Sequence, residues 1–96
     1  MQINHHHSSE RMSKIVTHNK TVYLCGQVAD SAQWDITEQS ERCLAQIDQL
    51  LDEVGSSRSQ ILSTTIYLRD IKDFAAMNQV WDAWISGADK PARACV

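Results

Sequence analysis

Proline occurs once and glycine three times in these 96 residues, at Pro91 and at Gly26, Gly55 and Gly87. So few glycines form no phosphate-cradling loop and no dinucleotide-binding motif. No repeat, linker or low-complexity tract divides the chain. The length is that of one small domain, which buries only about 65% of the surface its unfolded form exposes, so oligomerisation is a ready source of further burial. No apolar run approaches the ~20 residues a membrane-spanning helix needs, and no signal-peptide pattern opens the chain. Positive charge is scarce: nine Lys and Arg against twelve Asp and Glu leave a formal net charge of −3. That is the wrong sign for a general nucleic-acid footprint. The expected partners therefore include neither nucleic acid nor membrane. Cys25, Cys43 and Cys95 make an odd count without a CxxC pair. This argues for reduced thiols, a cytoplasmic setting and no structural zinc site.

Catalytic sets are equally sparse. No Ser/His/Asp or Cys/His arrangement stands out. His18 reads as a surface or interface histidine. His5-His6-His7 are consecutive, so their side chains diverge, and no second ligand cluster accompanies them; no metal site is expected there. Asp52 and Glu53 fall on the polar side of a helix and read as solvated.

What is present is an ordinary soluble composition, 43% hydrophobic and 22% charged, in a clear order of elements. Residues 1–13 read as a peripheral N-terminal extension, and residues 14–96 as the domain. Ile15 to His18 and Thr21 to Cys25 read as strands joined by a tight turn at Asn19-Lys20. Gly26 marks a bulge or a close backbone approach, and Gln27 to Ala29 prolong the strand. Asp35 caps a helix, with Glu38 three residues on. Ile36, Cys43, Leu44, Ile47, Leu50, Leu51 and Val54 recur at helical spacing, and Gly55 ends the run. Cys43 in that stripe is a buried thiol. Ile61 to Leu68 is a strand whose Leu62, Thr64, Ile66 and Leu68 face the helices, while Ser63, Thr65 and Tyr67 face a partner or a pocket. Asp70 caps a second helix, which runs to about Gly87 with Phe74, Met77, Trp81, Trp84 and Ile85 as its apolar stripe. The expected fold is α+β, β-β-α-β-α-β, with right-handed crossovers placing both helices on one face of one sheet.

Two features carry chemistry. In the closing strand, Pro91-Ala92-Arg93-Ala94-Cys95-Val96, alternation puts Arg93 and Cys95 on one face and small alanines around them. Such space suits a guanidinium fork for a carboxylate, although a strand arginine also serves as an ion-pair partner. Cys95 has no base or helix N-terminus nearby in sequence to activate it. Asn78 falls inside the second helix's apolar stripe, where an amide either satisfies backbone or fixes a site.

Tyr23-Leu24-Cys25-Gly26-Gln27-Val28, the helix from Gln39 to Gly55, Asp73-Phe74-Ala75-Ala76-Met77-Asn78 and Pro91 to Val96 occur in an order that resembles the RidA/YjgF family of reactive-intermediate imine deaminases. The resemblance implies a chorismate-mutase-like fold, a homotrimer with sites in clefts between subunits, and no metal or organic cofactor. It implies hydrolysis of 2-imino and 2-enamino acids to 2-oxo acids and ammonia; the alternative is a module that binds a small carboxylate or oxo acid in the same cleft without turnover. By position, Arg93 would grip the substrate carboxylate and Cys95 would lie beside the imine, using its backbone more than its thiol. Cys25, Gly26 and Gln27 would line the cleft, with Cys25 where many members have a serine, and Asn78 would support it. Met12 stands nearest the place of a tyrosine found in many active members. The family's final strand, with a glutamate associated with the catalytic water, is expected to follow Val96.

Overall fold

The structure, a computed structural model, describes residues 2–96. Its strands are β1 (Asn4–Ser8), β2 (Ser13–His18), β3 (Thr21–Leu24), β4 (Ser63–Ile66) and β5 (Ala92–Cys95), and its helices are α1 (Ile36–Glu53) and α2 (Phe74–Ile85). Short 3-10 turns at Arg58–Gln60 and Ile71–Asp73 precede β4 and α2 respectively.

The antiparallel pair β2–β3 closes through Asn19 and Lys20, both at positive φ (52° and 65°), with His18 opposite Thr21. Two such residues twist a two-residue turn to match the strands it joins. Residues 1–13, read as a peripheral extension, hold a strand of their own. Asn4–Ser8 pairs antiparallel with β2, His5 opposite Val16 and His6 opposite Ile15. Its side chains are all exposed, so neither apolar alternation nor burial announces it in the sequence; the free edge of β2 recruits it through backbone hydrogen bonds.

Helix α1 begins as its cap residues dictate. The Glu38 N–H donates to Asp35 Oδ1 at 2.8 Å, which satisfies one of the unpaired amides of the first turn. It ends in a Schellman arrangement. The Ser56 N–H donates to the Leu51 carbonyl at 2.9 Å and the Gly55 N–H to the Asp52 carbonyl at 3.1 Å, with Gly55 at φ +70°. Only glycine adopts that conformation without a Cβ penalty. Asp70, expected as the cap of α2, caps the preceding 3-10 turn instead by accepting from the Lys72 N–H at 2.9 Å.

One buried cluster joins Leu44 of α1 with Met77, Trp81 and Ile85 of α2, and Ile36, Ile47, Ile66, Leu68, Val80, Trp84, Ala88 and Cys95 pack around it; Ile15, Leu50 and Leu51 are buried as well. Thus α1, α2 and the β4–β5 pair form one packed unit. Leu62 is 74% exposed and Phe74 is 40% exposed. The helices cover the middle of the β4 face, at Thr64, Ile66 and Leu68, and leave its start open. Tyr67 on the opposite face is 80% exposed.

The strands form two sheets rather than the single sheet expected: antiparallel β1-β2-β3 and parallel β4-β5. The Cys25 N–H still donates to the Lys14 carbonyl at 3.0 Å, but Gln27 to Ala29 do not continue the strand. No ladder joins β3 to β4, and α1 carries the chain from one sheet to the other.

Candidate functional site

Strand β5 runs parallel to β4, with Arg93 opposite Thr64 and Cys95 opposite Ile66. The Ala92 N–H donates to the Leu62 carbonyl at 3.1 Å, the Val96 N–H to the Ile66 carbonyl at 2.9 Å, and the Leu68 N–H to the Val96 carbonyl at 2.8 Å. A parallel ladder uses alternate residues on each side of a strand. Residues 92, 94 and 96 therefore bond to β4, and the backbone groups of Arg93 and Cys95 turn toward the other edge of β5, where no strand of the described residues pairs.

The side chains alternate as the sequence predicts. Arg93 and Cys95 are half-buried, and Ala92, Ala94 and Val96 are exposed. Arg93 lies against α2. Its Nη1 donates to Asn78 Oδ1 at 2.7 Å, and its Cζ sits 5.4 Å from the centroid of the Trp81 ring, within cation–π range. Asn78 and Trp81 are three apart on a helix and so share one face. Among the described residues, no carboxylate lies within 4.0 Å of Arg93; the ion pairs are His7–Glu53, Arg42–Glu38 and Arg58–Asp48. A guanidinium has five N–H groups. Here one is committed to a neutral amide and the charge lies near an indole, so it keeps donors for a further acceptor.

Cys95 packs its side chain against the hydrophobic cluster. Its thiol is thus part of a core wall.

Cys25, Gly26 and Gln27 form a second group after β3. Gln27 Nε2 donates to the Cys25 carbonyl at 2.9 Å and lies 3.3 Å from Cys25 Sγ. The amide is thus folded back on its own loop. A Cβ placed at Gly26 would meet nothing within 4 Å; the close backbone approach expected there does not occur within this chain. The structure therefore brings Arg93 and Asn78 together, and Cys25 and Gln27 together, with no hydrogen bond between the two groups among the described residues.

Sequence reasoning missed two contributors. Trp81 falls in the apolar stripe of α2 and so reads as core, although its place one turn from Asn78 in the same stripe already puts it beneath whatever Asn78 holds. The second is Asp48. It accepts from Arg58 Nε at 2.8 Å and Nη2 at 2.7 Å, and from Trp84 Nε1 at 3.0 Å. Arg58 also donates from Nη1 to the Trp84 carbonyl at 2.6 Å and stacks 4.6 Å from the Trp84 ring centroid. The hydrogen bonds from Arg58, first among several causes, hold the Asp48 carboxyl below its usual range despite partial burial. Trp84 and Trp81 then meet at 5.5 Å between centroids, tilted by 44°. An Arg58–Trp84–Trp81–Arg93 column results, anchored at one end by a carboxylate and open at the other.

Elsewhere the histidines of β1 line a hollow with Glu53 and Val54, where His7 Nε2 and Glu53 Oε2 lie 2.6 Å apart. Among the described residues, no group of three or more His, Cys, Asp or Glu side chains is placed to hold a metal ion. No helix among them is long and apolar enough to cross a membrane.

Comparison with known proteins places this α+β chain in a family. The family model described as Endoribonuclease L-PSP matches residues 3–96 and so takes in β1. The RutC family protein YoaB of Escherichia coli K12 is 46% identical over 86 residues, covering 90% of this chain and 75% of that protein. A RutC family protein of Haemophilus influenzae is 40% identical over 89 residues, covering 92% and 77%. Among solved structures, a member of the YjgF protein family from Neisseria meningitidis superposes with a TM-score of 0.93 at 43% identity, covering 100% of this chain and 80% of that one. An uncharacterised Pseudomonas aeruginosa protein gives the same TM-score at 42% identity, covering 99% and 83%. The chain belongs to the Endoribonuclease L-PSP family, that of the YjgF/RidA proteins.

Proposed function

We propose that the protein hydrolyses reactive 2-imino and 2-enamino acids to 2-oxo acids and ammonia. The observation that carries this reading is Arg93: fixed by Asn78 and Trp81, next to no carboxylate, with donors left over. A planar guanidinium of this kind matches a substrate carboxylate bidentately. An enamine first shifts a proton to become the imine. Water then adds its oxygen to the imine carbon as a proton passes to the nitrogen, giving a carbinolamine; the amine takes up a further proton, and as the carbon–nitrogen bond breaks to release ammonia the hydroxyl gives up its proton and becomes the carbonyl. Such chemistry needs positioning, charge stabilisation and proton transfer rather than a strong nucleophile. The open-edge backbone of Cys95 serves to orient imine or water. Cys25, Gly26 and Gln27 complete the cleft from a neighbouring subunit of a homotrimer, and the unfilled space at Gly26 leaves room for that approach. Exposed Tyr67 and Leu62 on the β4–β5 pair fit the same assembly. A cytoplasmic setting accords with half-buried, unpaired cysteines.

Lack of any carboxylate near Arg93 also favours a second reading, capture of a small carboxylate or oxo acid without turnover. Both readings are separated by generating an imine with an amino-acid oxidase and following its loss as the protein is added. Acceleration that vanishes in Arg93→Ala supports the hydrolase. Binding of 2-oxobutanoate by calorimetry without acceleration supports the module. Equal binding by Arg93→Ala would overturn both. The family model's ribonuclease name does not accord with a net charge of −3, and no RNA cleavage is expected.

A further inference from the structure

The geometry points to Trp81 as a positioning residue: its indole, packed against Trp84, holds the Arg93 guanidinium in the orientation in which it receives a ligand carboxylate. The inference rests on the carboxylate reading of Arg93 and adds a residue to it. Trp81 is 7% exposed, so its ring has no freedom to yield. Arg93 lies over it at 5.4 Å and is tied at one edge to Asn78 by a 2.7 Å hydrogen bond. One amide alone leaves the guanidinium able to pivot about that bond; a flat π face removes the pivot and restricts the plane. Trp84 packs against Trp81 with ring centroids 5.5 Å apart, tilted by 44°. Trp84 is itself held by Asp48 at its Nε1 and by Arg58 across its face. The two adjoining indoles thus each meet a cation, and the two cations are used differently. Arg58 is saturated by a carboxylate, and Arg93 is not. An arginine oriented before its ligand arrives loses less rotamer entropy on binding, and an indole is the strongest of the aromatic platforms for a cation.

The test compares Trp81→Leu, which keeps apolar bulk without a π face, with Trp81→Phe, which keeps a weaker face, in the complete polypeptide. Two readouts are taken: 2-oxobutanoate affinity by calorimetry, and the Arg93 Nη signals in nitrogen-edited NMR, which are resolved when the guanidinium rotates slowly. We expect resolved signals in wild type and Trp81→Phe, averaged signals in Trp81→Leu, and affinity weakened about fivefold to tenfold in Trp81→Leu but less than about threefold in Trp81→Phe. Resolved signals in Trp81→Leu, or unaltered affinity in a folded Trp81→Leu, would overturn the inference. Should Trp81→Leu not fold, fluorinated tryptophan preserves shape while weakening the π face; affinity must then fall with fluorination, and constancy refutes the role. If instead Arg93→Ala binds 2-oxobutanoate as wild type does, the carboxylate reading itself fails, and the NMR comparison still decides whether Trp81 orders the guanidinium.

Discussion

Removing the Asp48 carboxylate tests the packing logic of the fold most directly. Asp48→Ala deletes three hydrogen bonds at once, from Arg58 Nε, Arg58 Nη2 and Trp84 Nε1, and with them the tie between α1, the turn before β4, and α2. The Arg58 and Asp48 side chains are 39% and 36% exposed, so water takes over part of each lost bond and screens the charges. An exposed ion pair of good bidentate geometry contributes about 1 kcal/mol. The indole-to-carboxylate bond adds about 1 kcal/mol after allowance for water. The expected loss is therefore about 2 kcal/mol, or a fall in Tm of roughly 10 °C for a domain of this size. Asp48→Asn, which keeps one acceptor, should lose about half as much. Urea and thermal unfolding at one fixed protein concentration measure both. The effect must also depend on pH with a definite sign. The folded-state pKa of Asp48 is depressed, chiefly by the Arg58 hydrogen bonds. Its contribution is thus complete above the unfolded value near ~3.9 and is lost as pH falls through the lower folded value. The gap between wild type and Asp48→Ala should be flat from pH 5 upward, on the order of the full effect, and should close in strong acid. A gap under about 0.5 kcal/mol at neutral pH, within the range of ordinary surface substitutions, or one that persists unchanged in acid, would refute the reasoning.

Further outcomes follow from the same geometry. Met77→Ala, at the centre of the α1–α2 contact, should destabilise by about 3 kcal/mol in denaturant unfolding, and a loss under about 1 kcal/mol would mean the site collapses without a cavity. Gly55→Ala forces a Cβ into a left-handed helix end at φ +70° and should cost about 1 kcal/mol. Gly26→Ala, with open space around the added Cβ, should leave Tm unchanged in a dilute sample; a lowered Tm would place an unseen contact there. Burial first, and the Asp30 charge second, push the Cys43 thiol above its usual pKa, so iodoacetamide should modify it slowly at pH 8 on the order of hours; rapid labelling located by mass spectrometry would contradict that.

The elements written in local chemistry were legible in the sequence. Asp35 and Gly55 bound α1 through interactions spanning a few residues, and the stripe from Ile36 to Val54 fixed its buried face, whereas the Glu38 side chain pairs with Arg42 rather than closing a capping box. Alternation in β5 placed Arg93 and Cys95 together correctly. Strand β1 was not legible, because its histidines and serines neither alternate nor bury anything; a neighbouring edge determines its conformation. The division into two sheets was hidden for a related reason, since pairing between strands separated by a helix depends on partners that no local pattern names. At the site, the meeting of Arg93 with Asn78 across α2 agrees with the stripe position of the amide. The meeting of Arg58 with Asp48 and Trp84 needed three distant segments to converge, and composition alone made the tryptophans look like filler.

The Arg–Trp contacts have an optical consequence. All three indoles of the chain lie under a guanidinium: Trp34 beneath Arg42 at 5.0 Å, Trp84 beneath Arg58 at 4.6 Å and Trp81 beneath Arg93 at 5.4 Å. A positive charge over an excited indole changes the colour and yield of its emission, so intrinsic fluorescence in this protein reports where its arginines are. Arg42 and Arg58 each have a carboxylate partner that keeps them in place. Trp34 and Trp84 should therefore provide a steady background, and Trp81 is the indole whose emission is expected to change if a ligand binds Arg93 as proposed.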